Sequence, residues 1–82
     1  MVILGRPVSA IRKDTDANGR EYHIAATLRR VNKRYEFLMD TYYPTGTTGE
    51  TIREEGMFFY DLDKAISHVQ DATGIPFHDF KP

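Results

Sequence analysis

Apolar and polar positions alternate most regularly on either side of Asn32. Upstream, Tyr22, Ile24, Ala26 and Leu28 alternate with Glu21, His23, Thr27 and Arg29. Downstream, Tyr35, Phe37 and Met39 alternate with Arg34, Glu36 and Asp40, and Leu38 interrupts the polar set. A period of two is the signature of a half-buried strand, and it predicts strands near 20–31 and 34–43. A two-residue turn at Asn32-Lys33 would set Leu28 against Phe37, Ala26 against Met39, Ile24 against Thr41 and Tyr22 against Tyr43. Arg29 would face Glu36 on the opposite side. A slip of one residue would turn each apolar set toward water, so the pattern specifies the register.

The remaining elements follow from weaker patterns. A first strand is expected near 2–13, its clearest part running from Val8 to Lys13 with Pro7 near its start, where a missing amide donor is tolerated at a sheet edge. Val2, Leu4, Val8 and Ala10 share one parity and Ile3 and Ile11 the other; the larger set is assigned inward. That choice calls for an odd-length loop such as Thr15 to Gly19, with Asp and Asn side chains capping their own backbone and Gly19 at positive φ. Gly46 to Gly49 after Pro44 reads as a loop. Glu50 to Glu55 fits either a helical turn or part of an edge strand and receives no assignment. Met57 to Tyr60 is apolar on both parities and predicts a short strand near 57–60 with both sides partly covered.

Asp61 is a suitable N-cap, Asp63 places a carboxylate in a first turn, and Gly74-Ile75-Pro76 is a stop signal. Between them Leu62, Ala65, Ile66, Val69 and Ala72 form one apolar stripe, predicting a helix over 62–73. Lys64, Ser67, His68, Gln70 and Asp71 lie off it. Phe77 and Phe80 in the tail are expected to fold back over the core. The expected architecture is α+β: a three- or four-stranded antiparallel meander with one C-terminal helix packed on one face, in one small domain spanning 1–82.

Composition narrows the chemistry. The 82-residue chain has no cysteine, which removes disulfides and thiolate metal sites and suits the cytoplasm. The apolar run Met1 to Gly5 is too short for a signal sequence, and no run is long enough to span a membrane. Net charge is −1, but residues 1 to 43 carry eight Lys/Arg against five Asp/Glu, while residues 44 to 82 carry three against seven. That asymmetry of +3 and −4 can give a small domain a local field that its total conceals.

Asp14-Thr15-Asp16-Ala17-Asn18-Gly19 matches the first half of an EF-hand calcium loop. The twelfth position, where a bidentate glutamate belongs, is Ala25, and the flanks alternate like strands; a turn is the better reading. Gly46 to Gly49 satisfies the permissive GxxG pattern of a KH loop, but it follows a strand where that fold has a helix, and it lacks the ending of a phosphate-binding loop. The three histidines have no nucleophile beside them by spacing. His23, with Glu21 and Asp40 nearby, would make a flat, weak cation site without supporting groups. No cofactor, metal site or catalytic residue is assigned.

The strongest candidate is Arg29-Arg30-Val31-Asn32-Lys33-Arg34, with four cations in six residues at a projecting hairpin tip. Such a tip can contact nucleic-acid phosphates or an acidic protein surface; as a solvated turn it would merely pair Arg29 with Glu36. Tyr42, opposite His23 and near Leu38, would add an outward aromatic patch. Glu50, Glu54 and Glu55 form an acidic counterpart. The binding candidates are therefore Arg29, Arg30, Lys33, Arg34, Tyr42, Glu50, Glu54 and Glu55. The expected function is non-enzymatic binding by surface complementarity to a protein or ribonucleoprotein partner, without membrane involvement, with homodimerisation a further option. Small cysteine-free α+β chains of this general kind include accessory proteins and phage-type inhibitors such as anti-CRISPR proteins, though no residue motif here ties the chain to a family. Direct nucleic-acid binding through tip 29–34 is the alternative.

Overall fold

The alternation around Asn32 becomes the two central strands of a four-stranded antiparallel sheet. The computed structural model describes residues 5–44 and 50–82, and in strand positions 50–52 the backbone only. The strands are β1 (Val8–Thr15), β2 (Glu21–Val31), β3 (Arg34–Tyr43) and β4 (Glu50–Phe59), in the order β1-β2-β3-β4. One helix, α1 (Leu62–Thr73), follows, then a single 3-10 turn at Phe77–Asp79.

The β2–β3 register is the one the pattern specifies: Leu28 pairs with Phe37, Ala26 with Met39, Ile24 with Thr41 and Arg29 with Glu36. The ladder ends at His23 and Tyr42, so Tyr22 and Tyr43 lie one step beyond it. Asn32 takes φ 59, a left-handed conformation that asparagine tolerates better than most residues.

The first strand starts later than expected. Gly5 to Pro7 lie outside it, and Val2, Ile3 and Leu4 lie outside the described residues. Its facing is as assigned, with Val8 and Ala10 packed on the core and Ile11 62% exposed. The turn that follows is odd-numbered but one residue further on. Asp16 N donates to Arg20 O and Gly19 N to Asp16 O, with Gly19 at φ 80, enclosing Ala17-Asn18-Gly19.

The largest correction concerns β4, which begins at Glu50 and ends before Tyr60. Thr41 pairs with Arg53 but Tyr42 pairs with Thr51, leaving Ile52 as an extra residue in a bulge. A bulge inverts the parity of everything beyond it, so no single alternation runs through the strand. The loop expected at Gly46 to Gly49 lies outside the described residues.

Helix α1 is bounded as its signals require. Asp61 Oδ1 accepts from Asp63 N, and Gly74 at φ 71 donates its N–H to Gln70 O. The helix lays Ala65 and Val69 on Ala26, Leu28, Phe37 and Met39, and Ile75 and Phe80 of the returning tail complete the core. Thr73 is buried with them. Its hydroxyl donates to Val69 O at 2.6 Å and accepts from Ile75 N at 3.0 Å, so it carries no unpaired polar group inward.

The last turn of α1 contains no basic residue. Arg12 of β1 supplies the missing cation: its Nη1 donates to Thr73 O at 3.2 Å and its Nη2 pairs with Asp14 at 3.0 Å. A side chain at Gly74 would collide with that guanidinium, a second reason for glycine there. The tail also closes the β1 edge, where Ser9 and Lys81 exchange two backbone hydrogen bonds of 2.9 and 3.0 Å.

Candidate functional site

Because α1 covers one face of the sheet, every second residue of each strand is left on a bare face. The pairings arrange that face in rows across the strands. One row is Ser9, Thr27, Leu38 and Gly56. On one side of it lie Ile11, Ala25, Asp40 and Glu54, and beyond them Lys13, His23 and Tyr42. On the other side lie Arg29, Glu36 and Phe58, then Val31 and Arg34. Leu38 is 44% exposed and Phe58 49%.

Phe58 and Leu38 are each set by a charged or small neighbour. Arg34 places its guanidinium 4.5 Å from the centre of the Phe58 ring, a cation–π contact that fixes both side chains. Gly56 opposite Leu38 leaves a dip: a Cβ added there would meet Leu38 Cδ2 at 3.3 Å and the Phe37 carbonyl oxygen at 3.9 Å. A shallow cleft of about 400 Å³ follows from it, lined by Leu38, Asp40, Glu54, Glu55 and Gly56. Asp40 and Glu54 stand opposite one another across β3 and β4. Like charges in that relation repel.

The basic tip divides into bound and available charge. Arg29 is paired with Glu36, and Arg30 Nε donates to Asn32 O at 3.1 Å. Lys33 is exposed at the turn, and Arg34 lies along Phe58. Tyr42 is half-buried with its ring edge-on to His23 at 5.6 Å, and His23 Nε2 is 3.0 Å from Glu21 Oε1. Asp40 stands between Tyr42 and Leu38 on this face, so the aromatic pair and the apolar strip are separate.

The acidic trio does not act as one site. Glu54 is on the bare face, while Glu55 is on the helix side, 3.6 Å from Arg53 and 3.7 Å from His68. The side chain of Glu50 lies outside the described residues. His68, expected off the apolar stripe of α1, instead packs its ring against Phe37 at 5.4 Å and Phe59 at 5.1 Å, with Nε2 buried and facing Glu55.

The half calcium loop is a turn built on Asp16. Its Oδ1 accepts from the backbone N–H groups of Asn18 and Arg20, both at 2.9 Å, and its Oδ2 from Tyr43 Oη at 3.0 Å. The Arg20 N–H bond, then the Tyr43 hydroxyl, hold its carboxyl below the ordinary value against the opposing effect of desolvation. Arg20 itself lies over the Tyr43 ring at 3.7 Å. Asp14 pairs with Arg12 and accepts from Thr15 N, so the two carboxylates of the motif serve different partners. Among the described residues no group of three or more His, Asp or Glu is placed to hold a metal, and no helix is long and apolar enough to cross a membrane.

Sequence reasoning missed Phe58 and Gly56 as parts of one surface. Their orientation depends on pairing with β3, which the bulge hides. Compared with known proteins, the chain matches no family model, no curated protein and no solved structure.

Proposed function

We propose that this protein is a non-enzymatic binding module that engages a protein or ribonucleoprotein partner through the bare sheet face, from Lys33 and Arg34 at the basic tip across Phe58 and Leu38 to Asp40 and Glu54, with Arg30 of the tip on the helix side beside Tyr35. The observation that carries the reading is the exposure of Leu38, Phe58 and Ile11 on a face that α1 leaves uncovered. An apolar strip rimmed by fixed charge of both signs has the anatomy of a recognition surface, in which the strip supplies affinity and the rim supplies orientation.

Affinity capture from the source cell tests this, with the wild-type chain and a Leu38→Lys variant used side by side. A partner retained by the wild type and lost by the variant, with the circular dichroism of the two proteins equal, is the expected result. Equal capture by both would remove the bare face from consideration.

Direct nucleic-acid binding is the second reading. It is favoured by Arg34 held on an exposed aromatic ring at a tip that also carries Arg30 and Lys33, a combination that can contact phosphate and stack on a base. Its expected sign is a complex at low salt that weakens steeply as salt rises, and that Arg30→Glu with Lys33→Glu abolishes. Absence of an electrophoretic shift at low salt would end it.

A further inference from the structure

The two edges of the sheet are finished differently. Residues of the tail bond to β1 at Ser9, whereas among the described residues no strand pairs with the outer edge of β4. Past the bulge at Ile52, β4 runs regularly from Arg53 to Phe59. Gly56 is the midpoint of those seven residues.

We propose that this edge is the interface of a two-fold homodimer, with β4 of each copy pairing antiparallel about an axis through Gly56. Such an axis stands normal to the sheet, keeps both helices on one face, and pairs residues of equal parity. Centring at Glu54 or Glu55 would oppose a carboxylate to its own copy. Centring at Gly56 uses the whole regular segment: Arg53 meets Phe59 of the second copy, Glu54 meets Phe58, and Glu55 meets Met57.

The charge pattern is self-complementary in this register. Glu54, without an ion-pair partner among the described residues and repelled by Asp40, comes beside Phe58 of the other copy, where Arg34 already lies over the ring. The symmetry makes that contact twice. Met57 and Phe58, 38% and 49% exposed, gain cover together. Charges on an edge strand ordinarily deter pairing. Here the acids occupy one half of the segment and the apolar residues the other, so a two-fold brings unlike halves together. A glycine at the axis adds no side chain to obstruct the approach.

The test uses the full chain. Sedimentation velocity from about 5 to 500 µM should show the mass rising from 9.5 kDa toward twice that value. Glu54→Arg should weaken association at least tenfold, and adding Arg34→Glu should restore it to within a few-fold of wild type. Because the chain has no cysteine, Gly56→Cys reports the axis directly. Opposed Cα atoms in an antiparallel pair are about 4.5–5.5 Å apart, within the span of a disulfide. Oxidised Gly56→Cys should run as a covalent dimer and Glu54→Cys as a monomer. A wild-type mass that stays at 9.5 kDa throughout, or equal cross-linking at positions 54 and 56, would overturn the proposal.

Discussion

Phe37 and Leu38 are neighbours in the chain and belong to different parts of the molecule. Phe37 is fully buried between β2 and α1; Leu38, one residue on, is 44% exposed on the opposite face. The alternation that builds the sheet thus produces two surfaces of comparable chemistry, of which α1 covers one. On the covered face the apolar residues contribute to stability. On the bare face a leucine and a phenylalanine remain in contact with water, held in place by Gly56 and Arg34. The difference separates what the fold requires from what it leaves available.

Truncation on the covered side should have the largest effect. Phe37→Ala removes a ring that touches the core and the His68 imidazole, and is expected to cost about 3–5 kcal/mol of stability. Against the roughly 5–15 kcal/mol typical of whole domains, that brings a chain this small close to unfolding. Urea denaturation followed by circular dichroism measures it. A loss under about 1 kcal/mol would mean that the helix is not seated on this face.

Thr73→Val probes the same face without changing its shape. The substitution removes the acceptor for Ile75 N inside the core, and leaving one buried donor unsatisfied costs about 1–3 kcal/mol. Restoration by Thr73→Ser, which keeps the hydroxyl, would attribute the loss to the hydrogen bond. Loss of the same size in Thr73→Ser would attribute it to the methyl group.

Much of the covered face is legible in the sequence because each strand needs only one parity there. Leu28, Phe37 and the stripe at Ala65 and Val69 each recur at the spacing of their element. Thr73 is less visible: it falls at helical spacing from Val69, yet its hydroxyl argues against burial until Ile75 N is seen to bond to it. Arg12 is a charge on the inward parity of β1, intelligible only once the helix end reaches it. The bare face was legible at the tip, where four cations stand in six residues. It was illegible around Phe58, because the bulge at Ile52 breaks the link between position and face.

At the far end of the sheet, acid should loosen the Asp16 turn. The Asp16 carboxyl is held below its ordinary value by the Arg20 N–H and the Tyr43 hydroxyl, so the charged form is the one the fold favours. Its contribution is present above the unfolded value of about 4 and is lost as pH falls through the lower folded value. Melting temperature recorded from pH 7 down to pH 2 should therefore fall less steeply in Asp16→Asn than in the wild type. Parallel curves would show that the turn does not depend on this charge.

The smallest effect on stability is expected on the bare face, and the comparison depends on it. Leu38→Ala removes a half-exposed side chain whose nearest opposite neighbour is a glycine, so it should alter unfolding free energy by less than about 1 kcal/mol. The same change deepens the dip at Gly56 and takes the centre out of the apolar strip. A partner that docks there should lose affinity several-fold while the melting curve barely moves. If Leu38→Ala instead destabilised the fold as much as Phe37→Ala, the two faces would be doing the same work, and the exposed strip would be core that the helix failed to cover.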